Sequence, residues 1–598
     1  MAPQRVGRDI TKQMLRHRQM VLDQMDFKQK AEEKKMSMSK NIARLAVTAG
    51  LTAALSFGGV MAPVTMAFAA GTDGSVTIQN VEGNDTEFKG YQIFTADVAD
   101  DGTVSNIKWA NTSVQEAVEK VVEADTSYTG TTAQDAADWI AKKVREENNS
   151  VAFNSTAYKI AVAVDGHTEE MTTNGRVASD LGHGYWLFVT DSGTIGTGEA
   201  GTSPIFTVVG SAPVRITEKT GIPTVEKKIV SDKDGKEYDA ADSQIGQDVT
   251  YNLYGTIAEN YDKYDSYFYE FSDQISKGLT LQSGFKVYLY PSKDAAKANF
   301  AHTDGTGTDI TTNFKQETVD AASGGSKTTT WTCKDLKQVA GVDSGSCIVV
   351  SYKAQINKDA VVAGTQGNEN TVTLHYSNNP MSDTKGETQP DTVKDYTYGL
   401  KINKVDLGTE AALDGARFTI QATGADDNAS KNLYVQKNGS LGTEEYEFTT
   451  ANGGVIKVTG LDAGVYTVKE VSAPDGYTAV DPFTFEIKPT MTDDGPAAGL
   501  TTVTGELKTS QTTKVIAGLN DTSAGKVGDN KLDSKEGTLT NTDDGTFNIT
   551  VGDTKQVGLP LTGLNGVTFT WIAGGAVLCI GVAHLIRSRK QAEESEQE

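Results

Sequence analysis

The stretch YTVKEVSAPDGY, from Tyr466 to Tyr477, alternates polar and apolar side chains and then enters a Pro-Asp-Gly turn. Side chains of a β-strand point alternately to opposite faces, so Tyr466, Val468 and Glu470 share one face. The apolar residues of that face belong in a core, and they carry Glu470 inward with them. The stretch therefore predicts a β-strand with a buried carboxyl group.

Similar alternation recurs along the chain of 598 residues, which contains 60 Gly and 13 Pro. Three clear examples are DVTYNLYGTI (248–257), TVTLHYSN (371–378) and ARFTIQA (416–422). Helical periodicity is concentrated in TSVQEAVEKVVEAD (112–125) and AQDAADWIAKKVREENN (133–149). We predict a mainly β protein of tandem β-sandwiches, with one or two helices in the first domain.

The C-terminal region contains an apolar run followed by basic residues. Leu564 to Ile586 has no Asp, Glu, Lys or Arg, and a helix rising about 1.5 Å per residue over that length crosses a hydrocarbon core of about 30 Å. Arg587, Arg589 and Lys590 follow directly. We predict a transmembrane helix whose basic tail lies in the cytoplasm, with the preceding chain outside.

The N-terminal region has the features of a secretory signal. Basic residues precede the apolar stretch Leu45 to Val60, and Ala67-Phe68-Ala69 supplies small residues for cleavage. Residues 1–35 lie upstream of this pattern, which predicts Met36 or Met38 as the initiator; a long targeting region is the alternative. Residues 1–70 are thus assigned to an N-terminal extension and signal peptide.

Charge and composition argue against several classes of function. The net charge of −24 disfavours nucleic acid and anionic membranes as partners. The six histidines are scattered without metal-ligand spacing or a partner nucleophile. SDKDGKEYDAAD (231–242) contains D-x-D-G but lacks the terminal Glu of an EF-hand, so it predicts a hairpin turn. We expect no metal, no cofactor and no enzymatic activity.

Cysteine usage is sparse, with Cys333, Cys347 and Cys579 as the three examples. Cys579 lies inside the predicted span. Cys333 and Cys347 are fourteen positions apart in the exported part, which favours a local disulfide, with two free thiols as the alternative.

Leu559-Pro560-Leu561-Thr562-Gly563, the apolar run and the basic tail together resemble the LPxTG cell-wall sorting signal of Gram-positive surface proteins. The resemblance implies that a sortase cleaves after Thr562 and holds the chain as a thioester, which an amine resolves. It also implies a secreted protein anchored to peptidoglycan.

The segment VRITEKTGIPTVEKKIV (214–230) resembles the pilin motif of sortase-assembled pilus backbones, and Lys219 takes the position of the joining lysine. Thr217-Glu218 replaces the Tyr-Pro of that motif. An exposed Lys219 without a role is the alternative interpretation.

YTVKEVSAPDGY also resembles the pilin E-box, and LKINKVD (400–406) with LDGARFTI (413–420) resembles the opening of a CnaB-type domain. The resemblance implies an intramolecular isopeptide bond from Lys404, assisted by Glu470. Burial favours the neutral forms of both groups, as an amine nucleophile and a proton-shuttling acid require. Strand alternation favours Asp553 as the acceptor, with Asn541 and Asn548 as alternates.

The middle domain resembles the fimbrial D2 domain through FYEFSDQISKGLTL (268–281) and GNENTVTLHYSNNP (367–380). Lys227 lies two residues from both Val225 and Ile229, so it shares their apolar face of the strand. This favours Lys227 over Lys228 as the bonding lysine. The resemblance implies a Lys227–Asn370 bond assisted by Asp273, with Glu270 as the second choice.

The first domain opens with GSVTIQNVEG, which has Gln79 and no lysine, so we predict no bond there. GHGYWLFVTD (182–191) resembles a core strand of a pilin first domain. Its aromatic residues are interpreted as core.

Taken over the exported chain, the sequence resembles the major backbone pilins of sortase-assembled Gram-positive pili. The resemblance implies three tandem immunoglobulin-like β-sandwich domains of the CnaA/CnaB type. They are an N-terminal pilin domain (71–218), a D2 isopeptide domain (219–390) and a CnaB-type isopeptide domain (396–557). A sorting signal (559–598) follows, and its transmembrane helix is removed by sorting. The implied partners are identical subunits, a pilus-specific and a wall-anchoring sortase, minor pilins, peptidoglycan and host surface ligands. A singly wall-anchored adhesin with a CnaB-type stalk is the alternative, and a secreted enzyme is a more remote one.

Overall fold

The structure is a computed structural model, and it describes residues 74–80, 82–99, 102–165, 171–172, 176–218, 220–321, 325–362, 366–425, 431–495, 497–507, 515–519, 537–538 and 546–556. The predicted signal peptide, Lys219, Asn541 and the whole sorting signal with Thr562 and Cys579 lie outside the described residues.

The first sandwich consists of two sheets. Its strands are β1 (Gly74–Gln79), β2 (Phe88–Val98), β3 (Val104–Trp109), β4 (Met171–Thr172), β5 (Val177–Leu181), β6 (Gly184–Thr190), β7 (Ile205–Val209) and β8 (Val214–Thr217). One sheet has the order β5-β1-β8, and the other has β3-β2-β6-β7 with β4 paired to β2. Trp186 and Phe188 of β6 are buried between the sheets, which confirms that these aromatic residues are core.

Helices pack against the second of these sheets: α1 (Thr112–Val122), α2 (Ala133–Glu146) and α3 (Thr156–Asp165). Asn111 caps α1 by accepting a hydrogen bond from the Val114 amide at 2.8 Å. The sequence predicted α1 and α2, whereas α3 was not predicted; its buried residues Ala157, Ile160 and Val164 have helical spacing. None of the helices in the described part of the chain is long and apolar enough to cross a membrane.

The second sandwich is larger. Its strands are β9 (Val225–Val230), β10 (Glu237–Tyr238), β11 (Ala240–Asp242), β12 (Asp248–Thr256), β13 (Tyr269–Ile275), β14 (Leu279–Leu281), β15 (Lys286–Tyr290), β16 (Thr308–Asp309), β17 (Lys315–Asp320), β18 (Lys327–Cys333), β19 (Cys347–Ile356), β20 (Asn368–Ser377), β21 (Lys385–Glu387) and β22 (Asp391–Tyr396). A short helix, α4 (Lys293–Ala298), packs outside β15 and β19.

The two sheets of this sandwich have the orders β10-β9-β12-β19-β15-β16 and β11-β22-β20-β13-β18-β17. The β9–β10 pair is a hairpin, as SDKDGKEYDAAD predicts, and Gly235 in its turn has φ +69°. Since β22 pairs with β20 in the second of these sheets, this sandwich extends past the boundary that the sequence predicts at residue 390.

The third sandwich contains β23 (Tyr398–Asp406), β24 (Arg417–Ala425), β25 (Tyr434–Val435), β26 (Leu441–Gly442), β27 (Phe448–Thr449), β28 (Val455–Leu461), β29 (Gly464–Ser472), β30 (Tyr477–Thr478), β31 (Phe483–Thr492), β32 (Gly499–Leu507), β33 (Val515–Leu519), β34 (Gly537–Thr538) and β35 (Thr546–Lys555). Its sheets have the orders β28-β23-β35-β30 and β26-β25-β24-β29-β31-β32-β34. The prediction of a mainly β chain of tandem sandwiches is confirmed.

Cys333 and Cys347 are free thiols, so the predicted disulfide is wrong. Cys333 ends β18 and faces the interior of the second sandwich. Cys347 begins β19 in the opposite sheet and packs on its outer side with Tyr254 and Tyr290. Nearness in sequence does not bring the two sulfurs together, because the strands lie in different sheets and the thiols in different clusters. Burial raises the pKa of both thiols, that of Cys347 to about 12.

Candidate functional site

A buried polar cluster lies at the centre of the second sandwich. Lys227 comes from β9 in one sheet, whereas Asp273 on β13 and Asn370 on β20 come from the other. All three side chains are 0% exposed. The Lys227 Nζ donates hydrogen bonds to Asp273 Oδ1 and, at 2.6 Å, to Asn370 Oδ1. The lysine therefore spans the sandwich to reach an acid and an amide.

Burial shifts both ionisable groups of this cluster toward their neutral forms. Burial lowers the pKa of Lys227 to about 8, although the Asp273 charge opposes the change. Burial likewise raises the pKa of Asp273, against the opposing effect of Lys227. An unprotonated amine beside a protonated acid is the pair that amide formation requires.

Glu270, the second choice for the acid, lies elsewhere. It faces the outside of the same strand, where its Oε1 is 3.0 Å from His375 Nδ1, and it accepts a hydrogen bond from Thr332. Lys228 points away as well, with its Nζ 2.7 Å from Asp239 and 2.8 Å from Asp494. The alternation of strand faces in the sequence therefore predicts the same lysine and acid, Lys227 and Asp273, that the structure brings together.

The third sandwich contains a related cluster. Lys404 on β23 and Asp553 on β35 belong to the same sheet, and Glu470 on β29 faces them from the other. The Lys404 Nζ donates to Glu470 Oε2 at 2.9 Å and to Asp553 Oδ1. The side chains of all three residues are 0% exposed. The backbone amide of Val480 also donates to Glu470 Oε2 at 2.9 Å, which orients the acid.

In the third cluster burial favours the neutral form of the acceptor acid, Asp553. Burial raises the pKa of Asp553 to about 6; contacts with Lys404 oppose this change and the Glu470 charge adds to it. A side-chain contact between Glu470 and Asp553 adds to the rise in the pKa of Asp553. Asn548, an alternate acceptor, is aligned with Lys401 in the parallel pair β23–β35, whereas Lys404 is aligned with Val551. Asn548 lies five residues before Asp553, and an odd separation places the two side chains on opposite faces of the strand.

The buried polar groups of the first sandwich are arranged differently. Arg176 donates to Glu218 Oε2 at 3.0 Å, and Asn84 donates to Glu218 Oε1 at 2.9 Å. Arg176 also donates to the Asn84 backbone oxygen at 2.7 Å. Glu218 is 2% exposed, and it immediately precedes Lys219. Gln79, where the later sandwiches have a lysine, is exposed.

The second and third sandwiches meet through a buried glutamine. Gln244 is 3% exposed. Its amide donates to the backbone oxygens of Gly460, at 2.6 Å, and Gly439. Its Oε1 accepts from the Asp462 amide at 3.2 Å. No sequence motif indicated this residue, because its role depends on which loops of the two sandwiches meet.

Buried carboxyl groups accompany Gln244. Asp395 is 0% exposed and its Oδ2 accepts from Ser243 Oγ at 3.1 Å, while its Oδ1 has no partner among the described residues. Burial, with the charges of Asp242 and Asp232, raises the pKa of Asp395 well above its ordinary value. Burial and the same two charges raise the pKa of Asp462. The junction thus favours protonated carboxyl groups.

Asp395→Asn is expected to stabilise the protein near neutral pH and to flatten its pH dependence. A folded-state pKa raised above the unfolded value of about 3.9 contributes stability that is complete below the unfolded value and is lost as pH rises. The asparagine keeps an acceptor for Ser243 but cannot ionise. Urea unfolding between about pH 4 and about pH 8 measures the slope. Asp383→Asn, at an exposed position, is the control, and identical slopes for Asp395→Asn and the parent would contradict the assignment.

Comparison with known proteins gives a domain family and a set of relatives. Residues 398–496 match the family model of SpaA, a prealbumin-like fold domain. One relative is the trypsin-resistant surface T6 protein of Streptococcus pyogenes serotype M6, with 34% identity over 154 residues. That match covers 23% of this chain and 25% of the relative.

Two solved structures align with most of this chain at low sequence identity. The alignment with the T6 backbone pilin of S. pyogenes covers 82% of this chain and 100% of the pilin chain, with 16% identity and a TM-score of 0.47. The alignment with the major pilin SpaD of Corynebacterium diphtheriae covers 82% of this chain and 99% of the SpaD chain, with 15% identity and a TM-score of 0.41.

Proposed function

We propose that this protein is the backbone subunit of a covalently polymerised surface pilus, stabilised by isopeptide bonds inside its second and third sandwiches. The observation that carries the proposal is the recurrence of a buried lysine, acid and acyl acceptor in two successive sandwiches. Two such clusters are costly to bury as ions. Amide formation removes that cost, because the product carries no charge.

The proposed reactions differ in their leaving group. In the second sandwich the Lys227 Nζ attacks Cγ of Asn370, the Cγ–Nδ2 bond breaks, and ammonia leaves. In the third sandwich the Lys404 Nζ attacks Cγ of Asp553, and water leaves. Asp273 and Glu470 each move one proton from the attacking nitrogen toward the leaving group. Each bond would close a long stretch of chain, since the residues joined are 143 and 149 positions apart.

Polymerisation is proposed to join Thr562 of one subunit to Lys219 of the next. A sortase thioester at Thr562 would be attacked by the Lys219 amine, forming an amide and releasing the sortase thiol. The buried contacts of Glu218 with Arg176 and Asn84 support this proposal, because they hold the residue before Lys219 in a defined place. A head-to-tail contact between two different surfaces does not close on itself, so it generates a filament.

The same proposal includes the location and partners of the protein. The chain is exported, assembled into the pilus by a pilus-specific sortase with minor pilins, and attached to peptidoglycan by a wall-anchoring sortase. The proposed domains are those predicted from the sequence, with the second extended through β22. Host surface ligands are candidates for binding by the assembled fibre in adhesion.

Cells that express the chain with its sortase are expected to show a ladder of high-mass species that resists denaturant. Peptide mapping should find the Thr562 carboxyl on the Lys219 amine. Thr562→Ala should abolish both the ladder and wall attachment, because no thioester forms. Monomer attached to the wall without a ladder in the wild type would instead support the singly anchored adhesin.

A further inference from the structure

The hydroxyl group of Tyr352 contacts every member of the cluster in the second sandwich. It donates a hydrogen bond to Asp273 Oδ2. It accepts from Asn370 Nδ2 at 2.7 Å and from Lys227 Nζ at 3.1 Å. Tyr352 is 2% exposed, so bulk water does not compete for these bonds. The hydroxyl thus lies between the acid and the nitrogen that the proposed reaction expels.

Packing holds this hydroxyl in place. The Tyr352 ring stacks on Tyr251, with ring centroids 5.5 Å apart, and its centroid lies 4.9 Å from that of Trp331. Burial and the nearby Asp273 raise the pKa of Tyr352 well above its ordinary value. The group is therefore a neutral hydroxyl, which can accept one proton while it gives up another.

The two clusters differ at this position. In the third sandwich Lys404, Glu470 and Asp553 contact one another and the Val480 amide, and no tyrosine hydroxyl in the described part of the chain joins them. The two acceptors differ as well, because an amide must expel a nitrogen and a carboxyl group expels an oxygen. An amide nitrogen leaves readily only after it is protonated, so the second cluster has the greater need for a proton donor aimed at its leaving group.

We propose that Tyr352 is a catalytic residue that relays a proton to the leaving nitrogen of Asn370. The inference rests on the proposed isopeptide bond of the second sandwich. As the Nζ–Cγ bond forms, Asp273 Oδ1 takes a proton from Nζ and Asp273 Oδ2 gives its own to the Tyr352 oxygen. The Tyr352 hydroxyl proton passes to Nδ2, the Cγ–Nδ2 bond breaks, and ammonia leaves. Asp273 and Tyr352 each gain one proton and lose one, so both are neutral before and after the reaction.

The hydrogen bond between Tyr352 and Asp273 reverses its direction in this relay. The hydroxyl donates to Asp273 Oδ2 while the acid is ionised, and it accepts from Oδ2 once the acid is protonated. Before attack the planar amide nitrogen donates to the hydroxyl, because its lone pair is delocalised into the carbonyl group. After attack the carbon is tetrahedral, and the nitrogen lone pair becomes available to accept a proton from the same oxygen. The 2.7 Å contact serves both states without movement of the tyrosine ring.

Tyr352→Phe tests the relay, because it removes the hydroxyl and keeps the stacked ring. The full chain is expressed in a short pulse, and loss of ammonia is followed by intact mass and by mapping the joined Lys227 and Asn370 peptides. We expect the bond to form about 100-fold more slowly, within the range of general acid–base catalysis. The Lys404–Asp553 bond of the third sandwich, whose formation releases one water molecule, should form as in the parent. Its formation shows that the chain has folded.

Tyr269→Phe is the matched control, since it removes a buried hydroxyl of the same sandwich that donates to the Thr256 backbone oxygen at 2.9 Å. It should form the Lys227 bond at the parental rate. Asn370→Asp provides a second background, in which the leaving group is water. There we expect Tyr352→Phe to have a much smaller effect, and this coupling between the two positions is what a purely structural role would not produce.

Two results would overturn the relay: a parental rate in Tyr352→Phe, or a slowing by Tyr352→Phe that is equally large in the parent and in the Asn370→Asp background. Failure of the proposed function has a different signature. If the parent chain retains its ammonia after folding, the Lys227–Asn370 bond itself is absent. If the parent loses ammonia and Tyr352→Phe does so equally fast, the bond stands and only the relay fails.

Discussion

Lys219→Ala is expected to abolish the high-mass ladder completely and to leave monomer attached to the cell wall. The sortase thioester at Thr562 would still form, and the wall amine could still resolve it. The subunit amine that makes the polymer would be missing. Immunoblots of denatured wall extracts measure both species in one experiment.

The neighbouring lysines cannot readily replace Lys219. Lys227 is 0% exposed inside the second sandwich. Lys228 is bonded to Asp239 and Asp494, and although burial lowers its pKa, these two contacts outweigh burial and raise it. A protonated, paired ammonium group is a poor nucleophile. The loss should therefore be all-or-none rather than partial.

Two further variants sharpen the experiment. Lys219→Arg keeps the positive charge without a nucleophilic amine, so it should behave like the alanine variant. Lys233→Ala removes an exposed lysine of the nearby β9–β10 hairpin and should polymerise normally. A ladder that persists in Lys219→Ala would show that the pilin motif has been assigned to the wrong lysine.

Glu470→Ala is expected to leave Lys404 unjoined and to destabilise the third sandwich strongly. The parent chain should weigh one ammonia and one water less than its sequence, and the variant should recover the water alone. Without the acid, no group remains beside Lys404 and Asp553 to move the proton. The Lys227 bond, which lies in another sandwich, should form as before.

The size of the effect follows from chain entropy. A covalent link between residues 149 positions apart restricts the unfolded chain by about 5 kcal/mol, by analogy with a disulfide that closes a loop of this length. The variant also keeps Lys404 and Asp553 buried as separate groups. Thermal unfolding and protease digestion should both show the third sandwich opening first.

Glu470→Gln separates proton transfer from packing. The glutamine retains the shape of the side chain and an oxygen that can accept from Val480, but it cannot take up a proton in the same way. It should lack the bond while losing less stability than Glu470→Ala. Glu444→Ala, on an exposed loop, is the control. Parental mass and stability in Glu470→Ala would contradict the role assigned to this acid.

Much of the proposed chemistry could be predicted from the sequence because strand alternation is a local property. Residues an even number of positions from apolar neighbours share their face of the strand. This rule was sufficient to choose each proposed bonding or catalytic residue over its neighbour: Lys227 over Lys228, Asp273 over Glu270 and Asp553 over Asn548. The structure brings the chosen residues together in each sandwich. The sorting motif and the joining lysine, Thr562 and Lys219, are likewise local patterns, and their roles remain predictions.

Local patterns failed wherever the outcome depended on how distant strands pack. The sequence proximity of Cys333 and Cys347 suggested a disulfide, but their strands enter different sheets and the thiols point into different clusters. Helix α3 was not predicted, and its residues Ile160, Ala161 and Val164 pack against the first sandwich.

The sequence by itself therefore determined the class of fold and which side chains of each strand face inward, because both follow from a period of two residues. The tertiary structure decided which inward-facing groups meet. The Tyr352 hydroxyl reaches Asp273 and Asn370 because β19 lies across the sandwich from β13 and β20. Such contacts join residues far apart in the chain, and the free energy of packing the two sheets, rather than any local preference, selects them.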